Sequence, residues 1–373
     1  MISELLDPNN IYMWILIVGI IVFAIAIMSR PFSTYLKFVY PNAKFESIGN
    51  PFIKIKNIES IIDNKNIDSF KESVNTYRDY NLKGEKVYDI QKSLDENLLQ
   101  NFVMMKNDSS KKMKDFFNIY FEKLDLHLIK TAIKHKISNR EINDDIIEKT
   151  FNKNYRKLVI KIKDSKKDEL ANILKNFGIS EKLVNSISED KIDFLLIDSY
   201  VDKYFIDRLN NVKVPYRCDI GKKKFLKTFI DILNIKNLLR AKQNGYNIED
   251  CKKLFIDNGN EIPEWKYIEL SKIDSVSQII SALEGTSFFN VLKDNIEKYN
   301  NDKSTQIFET ALDCLFIDLV SKISMKNYTN IGPTLRFLIS KEFEIMNLKI
   351  ISKGISERIS KDIIKDLIVI EEA

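Results

Sequence analysis

The side chains of this sequence that could carry out acid–base or metal chemistry are two histidines and a few adjacent carboxylates. His127 and His135 are eight residues apart, which on a predicted helix puts them about 80° apart around its axis and about 12 Å apart along it. That separation is too large for the two rings to share a metal ion. The carboxylate pairs Asp144-Asp145 and Glu371-Glu372 lie in a polar stretch and at the C-terminus, where solvation is their usual role. We therefore expect no metal site and no self-contained catalytic centre.

Cysteine spacing and glycine motifs argue against further classes of site. Cys218, Cys251 and Cys314 are odd in number and widely separated, without a CxxC pair, so their spacing fits neither a disulfide framework nor a zinc site. We expect them to be reduced, buried, small apolar residues in a cytosolic compartment. The sequence has no GxxxxGKS or GxxxxGKT loop, no GxGxxG and no HExxH. It therefore predicts no nucleotide and no other cofactor.

Composition favours helices and gives no sign of a nucleic-acid partner. Only 10 Gly and 7 Pro occur in 373 residues, whereas sheet proteins need many tight turns built from such residues. The 30% of charged and 44% of hydrophobic residues suit amphipathic helices with solvated outer faces. A net charge of +5 is too dilute for a nucleic-acid-binding face. The densest basic stretch, residues 153–167, is typical of a solvated surface, with an acidic partner or lipid headgroups as the alternative.

One segment near the N-terminus is apolar enough to cross a membrane. Ile11–Met28 contains no charge, and its length of roughly 27 Å as a helix approaches the roughly 30 Å of a hydrocarbon core. Two acidic residues precede it, whereas Arg30 and Lys37 follow it, so the positive-inside rule predicts a protein of the cell membrane with its soluble body in the cytoplasm. A cleaved signal peptide is the alternative, because Ala24–Ala26 loosely resembles a cleavage site. The acidic start argues against it.

Segments of the remaining chain resemble one another at a period near 110 residues. Residues 231–236 match residues 344–349 at an offset of 113, and residues 122–127 are a fainter copy at an offset of 109. Residues 61–70 likewise match residues 279–288 at an offset of 218. Chance similarity is the alternative for any single pair. We expect an all-α protein of three similar helical bundles in series. The predicted bounds are 1–34 for an N-terminal segment with a transmembrane helix at 11–28, then 35–160, 161–262 and 263–373 for the three repeats.

The last predicted long helix carries polar residues among its apolar positions. Its start is well marked, because Gly332 can cap it and Pro333 suits the first turn, where a missing N–H costs nothing. Two interpretations are open: an ordinary charged outer face, or the polar lining of a space that three equivalent helices surround. The recurrence of Asp or Asn in all three copies favours the lining. The candidates are Arg336, Lys341, Glu342, Glu344 and Asn347 on this helix, with Asn234 and Asp125 at the positions equivalent to Asn347.

At this helix the sequence resembles a known family. Ile331–Gly354 resembles the closing signature of the C subunits of archaeal/vacuolar-type (A/V-type) ATP synthases, a family whose vacuolar relative is the d subunit. Tyr40–Lys44 resembles the family's opening element, with Pro41 as a departure at its second position. Leu239–Lys242, which includes the further candidate Arg240, resembles the middle copy. The resemblance covers residues 35–368.

The resemblance implies a fold and a role. Members of the family are funnels of three similar helical domains around a pseudo-threefold axis. They seat the central stalk, made of the D and F subunits, on the membrane rotor ring of the larger ATP synthase complex. They couple ion translocation to ATP synthesis without catalysis of their own. The polar candidates would then line the funnel. An N-terminal anchor departs from the simplest picture of a peripheral component.

Other classes of protein stay open on the sequence. One is a membrane-anchored helical scaffold or adaptor outside the rotary machine. Another is a helical enzyme whose site assembles from scattered carboxylates. Proton and sodium coupling are both compatible with the sequence, because that choice belongs to the ring subunits. Synthesis and hydrolysis of ATP also both stay open.

Overall fold

The protein is helical throughout the part that its computed structural model describes, which comprises residues 11–179, 181–187 and 193–371. These residues form helices joined by turns and contain no strand, which confirms the all-α prediction for them. The helices, in chain order, are α1 (Ile11–Ile48), α2 (Ile55–Ile62), α3 (Ile67–Asn75), α4 (Val87–Asp108), α5 (Lys114–Ile137), α6 (Asp144–Lys149), α7 (Lys153–Asp164), α8 (Leu170–Phe177), α9 (Glu181–Ile187), α10 (Phe194–Asn211), α11 (Cys218–Gln243), α12 (Ile248–Lys253), α13 (Glu264–Ser271), α14 (Val276–Ser281), α15 (Phe289–Lys293), α16 (Ile296–Asp302), α17 (Gln306–Lys326), α18 (Gly332–Ser356) and α19 (Lys361–Leu367).

Helix α1 has two halves with different surroundings. Its first half, the predicted span, is almost wholly exposed, whereas Thr34, Phe38, Asn42 and Phe45 in the second half are buried. Those four residues recur every three or four positions, so one helical stripe packs against the body. The helix therefore continues 20 residues beyond Met28, the end of the predicted span. Within the described residues, α1 is the one helix long and apolar enough to cross a membrane.

Six long helices contact one another in a closed series. Helix α4 packs on α5, α5 on α10, α10 on α11, α11 on α17, α17 on α18, and α18 returns to α4. The last long helix of each predicted repeat is α5, α11 or α18. Each of these packs both on the preceding long helix of its own repeat and on a long helix of another repeat. The division into three domains stays a prediction, and its boundary after residue 160 lies within α7. The pseudo-threefold axis also stays a prediction.

Aromatic rings join several of these helices. Phe225 and Phe229 on α11 both lie 5.7 Å from the ring of Phe316 on α17. The ring of Phe205 on α10 lies 6.5 Å from Phe229 and 6.3 Å from Tyr120 on α5, in each case edge to face. Buried aromatic pairs at such distances stabilise packing beyond their area alone. The core is therefore continuous across the predicted repeat boundaries.

Helix α18 begins at Gly332 with Pro333 in its first turn, as predicted, but Ile331 and not Gly332 occupies the capping position. The start of this helix is crowded, because a β-carbon at residue 332 would lie 2.4 Å from the carbonyl oxygen of Ser324. Only glycine therefore permits the tight approach of α17 and α18 at this point. The approach fixes the direction in which α18 enters the centre of the body.

Candidate functional site

A cavity of about 670 Å³ lies between the three long helices α5, α11 and α18. Helices α4 and α17 complete its sides, and residues at and around α19 close one part of its wall. The cavity is open to solvent, and its surface is mainly aliphatic and aromatic, with charged groups among the apolar ones. A second space of about 410 Å³ adjoins it between α4, α5 and α10. The centre of the body is therefore a hollow that can accept part of another molecule.

The three long helices present the same repeat positions to this cavity. Each contributes an apolar residue and, three positions later, a basic or imidazole side chain, so both point the same way from the helix. These pairs are Leu124 and His127 on α5, Leu233 and Lys236 on α11, and Met346 and Lys349 on α18. The offsets between them are the 109 and 113 residues found in the sequence. Residues that are equivalent in the internal sequence repeat therefore also occupy equivalent positions around the cavity.

Three ion pairs cross between helices at the cavity wall. Lys123 Nζ lies 2.6 Å from Glu342 Oε2, and this pair joins α5 to α18. Lys236 Nζ lies 2.6 Å from Asp313 Oδ1 on α17. Lys349 Nζ lies 2.8 Å from Asp95 Oδ1 on α4. Because each of these cations has a carboxylate partner, the wall offers paired charges beside an apolar surface.

Partial desolvation shifts the pKa of two groups in the wall. Desolvation lowers the pKa of His127 below its ordinary 6.5, and the nearby Lys130 ammonium lowers it further. The imidazole is therefore neutral at neutral pH. Desolvation also raises the pKa of Asp313, although the Lys236 ammonium opposes that rise.

Three predicted lining residues lie instead behind the helix faces that form the cavity. Asn347 donates to the Val369 carbonyl oxygen over 2.6 Å and accepts from the Val369 N–H over 2.8 Å. Asn234 makes the same reciprocal pair with the backbone of Ile256, over 2.8 and 2.9 Å. All these groups are buried, so each amide satisfies the backbone of a segment 22 residues further along the chain.

Asp125 serves the same purpose in the first copy with a carboxylate. Its two oxygens accept from the N–H groups of Phe151 and Asn152, over 2.7 and 3.0 Å. Burial raises its pKa, while these two hydrogen bonds act in the opposite direction. Asp125, Asn234 and Asn347 therefore hold the chain that returns after each long helix.

Lys341 and Glu344 form a fully buried ion pair on α18. Lys341 Nζ lies 2.6 Å from Glu344 Oε1, and both side chains have no exposed surface. Glu344 also accepts from the Tyr80 hydroxyl and, over 3.1 Å, from the Phe52 N–H. The pair thus ties α18 to two parts of the predicted N-terminal repeat.

The other candidates lie at three separate places. Arg240 forms a two-pronged pair with Glu309 between α11 and α17. Arg336 is half-exposed and pairs with Glu371 over 2.7 Å. Glu342 is the one candidate among the described residues that lines the cavity, where it meets Lys123. The structure therefore does not bring the eight candidates together in one lining.

The residues that do line the cavity include several that the sequence analysis did not select. Their signal was present in the matched segments, as a recurring apolar residue followed three positions later by Lys or His. The prediction selected Asp125, Asn234 and Asn347 because they are polar. Each of them directly follows the apolar residue of its helix that lines the cavity. No grouping of His, Cys, Asp and Glu side chains suited to a metal ion occurs in the described part of the chain.

Comparisons with known proteins identify the family. The family model described as "ATP synthase (C/AC39) subunit" matches residues 41–367. The C subunit of the A-type ATP synthase of Methanobrevibacter smithii is 27% identical over 355 residues, which cover 91% of this chain and 89% of the relative. That of Methanosphaera stadtmanae is 26% identical over 338 residues, with 88% and 87% covered. That of Methanocaldococcus jannaschii is 32% identical over 170 residues, with 45% and 43% covered. The chain therefore belongs to the ATP synthase (C/AC39) subunit family and is a component of an ATP synthase.

Proposed function

We propose that this protein couples the central stalk, formed by the D and F subunits, to the membrane rotor ring, so that ion translocation drives ATP synthesis or the reverse. It performs no catalysis itself. The observation that carries the proposal is the open cavity of about 670 Å³, which three long helices line at equivalent positions. Such a cavity suits a connecting part that receives the end of a shaft.

The lining suits a largely apolar end with a few polar groups. Leu124, Leu233 and Met346 supply apolar surface from three sides, so an inserted aliphatic or aromatic side chain would be removed from water. The three ion pairs beside these residues can form hydrogen bonds with a partner, and because their charges cancel they create only a weak electrostatic field. A short helical end is the partner that this combination fits.

The closed series of helices suits the transmission of torque. Ion pairs cross the contact between α5 and α10, where Lys130 Nζ lies 2.6 Å from Asp202 Oδ1 and Lys134 Nζ lies 2.5 Å from Asp198 Oδ2. The Arg240–Glu309 pair crosses the contact between α11 and α17 in the same way. Such ion pairs add little to the stability of the protein. In this proposal their role is to fix the register of the packed helices. A force applied at one long helix is thereby distributed to its neighbours.

The exposed half of α1 supports attachment to the membrane. Arg30 follows its apolar residues and Lys37 lies two turns further on, and by the positive-inside rule these charges favour a body on the cytoplasmic side. The ion can be H⁺ or Na⁺ in this proposal, because that choice belongs to the ring.

An experiment on inverted membrane vesicles tests the coupling role. Leu233→Glu with Met346→Glu places two unpaired carboxylates in the cavity, whereas Ile160→Glu places one at an exposed position of α7 as the control. We expect the double variant to hydrolyse ATP with little ion pumping and to lose the stalk on purification while keeping the ring. The control should keep both activities and both partners. Full pumping in the double variant would refute the proposal.

Purification also tests the alternative scaffold role. Full-length protein isolated from gently solubilised membranes should bring components of the stalk, the ring and the catalytic head with it. Recovery without any of them would favour a membrane-anchored scaffold that works outside the assembled enzyme.

A further inference from the structure

The first half of α1 has an unusual surface for a helix attached to a folded body. Residues 11–29 carry no charge, and large apolar side chains such as Ile15 and Phe23 are 62% and 66% exposed. Apolar groups face every direction around the helix, so burying one stripe would not remove the rest from water. Hydrocarbon, at a thickness of about 30 Å, is the surrounding that this length and composition fit.

The second half of α1 fixes where this apolar segment leaves the body. Phe45 stacks on Phe337 of α18, with ring centroids 5.2 Å apart. Asn42 donates to the carbonyl oxygens of Tyr328 and Asn330, over 3.2 and 2.9 Å, in the turn before α18. Helix α1 therefore leaves the body beside the N-terminus of α18.

The N-terminus of α11 lies at the same place. Gly221 in its first turn is so close to the turn before α18 that a β-carbon there would lie 2.9 Å from Ile331 Cγ2. Two of the three helices that surround the cavity thus begin beside the exit of α1. The exit therefore lies at the end of the body where α11 and α18 begin, which is next to the axis if the three long helices are arranged around one as predicted.

The cavity lies further along the same two helices. On α11 its first lining residue is Phe229, 11 residues after the helix begins, or about 16 Å at 1.5 Å per residue. On α18 it is Ile339, 7 residues after the helix begins, or about 10 Å. The exit of α1 and the cavity are thus separated along the long helices.

The surface around the exit, here called the exit face, carries exposed aromatic and aliphatic side chains. They are Tyr35, Tyr216, Ile220, Met325 and Tyr328. Lys223, Lys224 and Lys326 are exposed among them. Tyrosine and lysine are the side chains that suit the boundary between hydrocarbon and water. This face therefore suits a position directly above a membrane.

We infer that the apolar half of α1 lies inside the central opening of the rotor ring and not in the bilayer outside the ring. The inference rests on the proposed rotor function. A body that turns with the ring carries α1 with it, so a span outside the ring would move through the lipid around the ring. In every turn it would also meet the membrane subunit beside which the ring turns, here called the stationary membrane component. A span near the axis turns in place.

The junction between the two halves of α1 is too short for another path. Thr34, the first buried residue, lies six positions after Met28, or about 9 Å further along the helix. A ring wall is at least one helix thick, about 10–12 Å with side chains. Pro31 lies in the junction and removes one backbone hydrogen bond, so the helix can bend there without becoming longer.

Photochemical crosslinking in the assembled complex in its own membrane tests this placement. A benzoylphenylalanine is introduced in turn at Ile20, Ile21, Val22 and Phe23, which together point in all directions around the helix. We expect adducts with the ring protein from at least one of these positions and none with the stationary membrane component. The same group at Tyr328 on the exit face should also capture the ring protein and serves as the positive control.

Two results would overturn the placement. One is an adduct of α1 with the stationary membrane component. The other is the absence of ring adducts from all four positions while Tyr328 captures the ring. In both cases copurification with stalk and ring would still hold, so the placement of α1 would fail while the rotor role stood. Loss of copurification would instead refute the rotor role itself.

Discussion

The buried pair Lys341–Glu344 gives a prediction in which two damaging substitutions compensate each other. Lys341→Met keeps the length of the side chain and removes its charge, which leaves the Glu344 carboxylate buried without a cation. Glu344→Gln keeps an oxygen acceptor for the Phe52 N–H and leaves the Lys341 ammonium buried without an anion. Both side chains have no exposed surface, so water cannot replace the lost partner.

The magnitudes follow from the cost of an unpaired buried charge. Removing one partner of a buried pair costs about 3–5 kcal/mol in the free energy of unfolding, because the other charge loses its compensation. The double variant contains neither charge, and its Gln oxygen can still accept from Phe52. We expect it to lose only about 1 kcal/mol, the usual net value of a hydrogen bond of this kind. It should thus be more stable than either single variant.

Urea unfolding of the full chain in mild detergent, followed by far-ultraviolet circular dichroism, measures these differences. Hydrogen exchange of the α18 amides reports the same change locally, where the pair acts. Lys353→Met serves as a matched control, because Lys353 and its partner Glu357 are each at least half exposed, and exposed pairs contribute about 0–1 kcal/mol. A double variant less stable than the two single variants, or additive losses, would refute the reasoning.

Three further predictions concern other parts of the body. Asn234→Leu leaves the N–H and carbonyl of Ile256 without partners, and we expect a loss of about 2–4 kcal/mol in urea unfolding. The lowered pKa of His127 means that the unfolded chain binds its proton first, so stability should fall as pH drops below about 6.5; thermal melting between pH 7 and 5 should show a smaller fall in His127→Gln. Gly332→Ala should cost about 1–3 kcal/mol through its clash at the start of α18, whereas Gly19→Ala, with no atom within 4 Å, should leave the melting temperature unchanged.

Each of these has a result that would contradict it. A loss below about 0.5 kcal/mol in Asn234→Leu, the scatter of surface substitutions, would show that the Ile256 backbone finds other partners. If the melting temperature of His127→Gln falls between pH 7 and 5 as much as that of the unsubstituted protein, the cavity does not desolvate the imidazole. His135→Gln is the matched control, because it removes a ring outside the cavity. Equal melting temperatures for the two glycine variants would show that the approach of α17 to α18 can relax.

The repeat could be predicted from the sequence because its Asp or Asn residue binds the backbone of the following segment in each copy. An acid, an Asp or Asn three positions later, and a Lys or His two positions after that recur in α5, α11 and α18. In the second copy the acid is Asp231, which accepts from the N–H groups of Asn260, Glu261 and Ile262. Residues that bind the backbone of their own repeat are under the same constraint in every copy, so their types persist.

The direction in which those residues point could not be predicted. Most side chains of α18 are buried, so apolar residues occur around its whole circumference and no single face is marked as the core. Charge is ordinarily a sign of solvent, but Lys341 and Glu344 neutralise each other and lie in the interior. The polar residues of α18 were therefore predicted to line the cavity, whereas most of them bind other groups in the interior of the protein.

The end of α1 was hidden for a different reason. The apolar run stops before Arg30 and Pro31, which on local evidence is the end of a helix. The stripe of Phe38, Asn42 and Phe45 continues the helix because its partners on and before α18 are available. Those partners are almost 300 positions away in sequence, beyond the reach of any local pattern.

The return of α18 to the start of the chain has a consequence for the order of events during synthesis. Asn42 must wait for a partner 288 residues later, Tyr80 for one 264 residues later and Phe52 for one 292 residues later. At about 5–20 residues per second this interval lasts roughly 15–60 s, during which the N-terminal repeat leaves the ribosome with an unfilled groove. If α1 is the membrane span proposed above, it can insert as soon as it emerges. The incomplete chain is then held at the membrane surface until its last helix arrives.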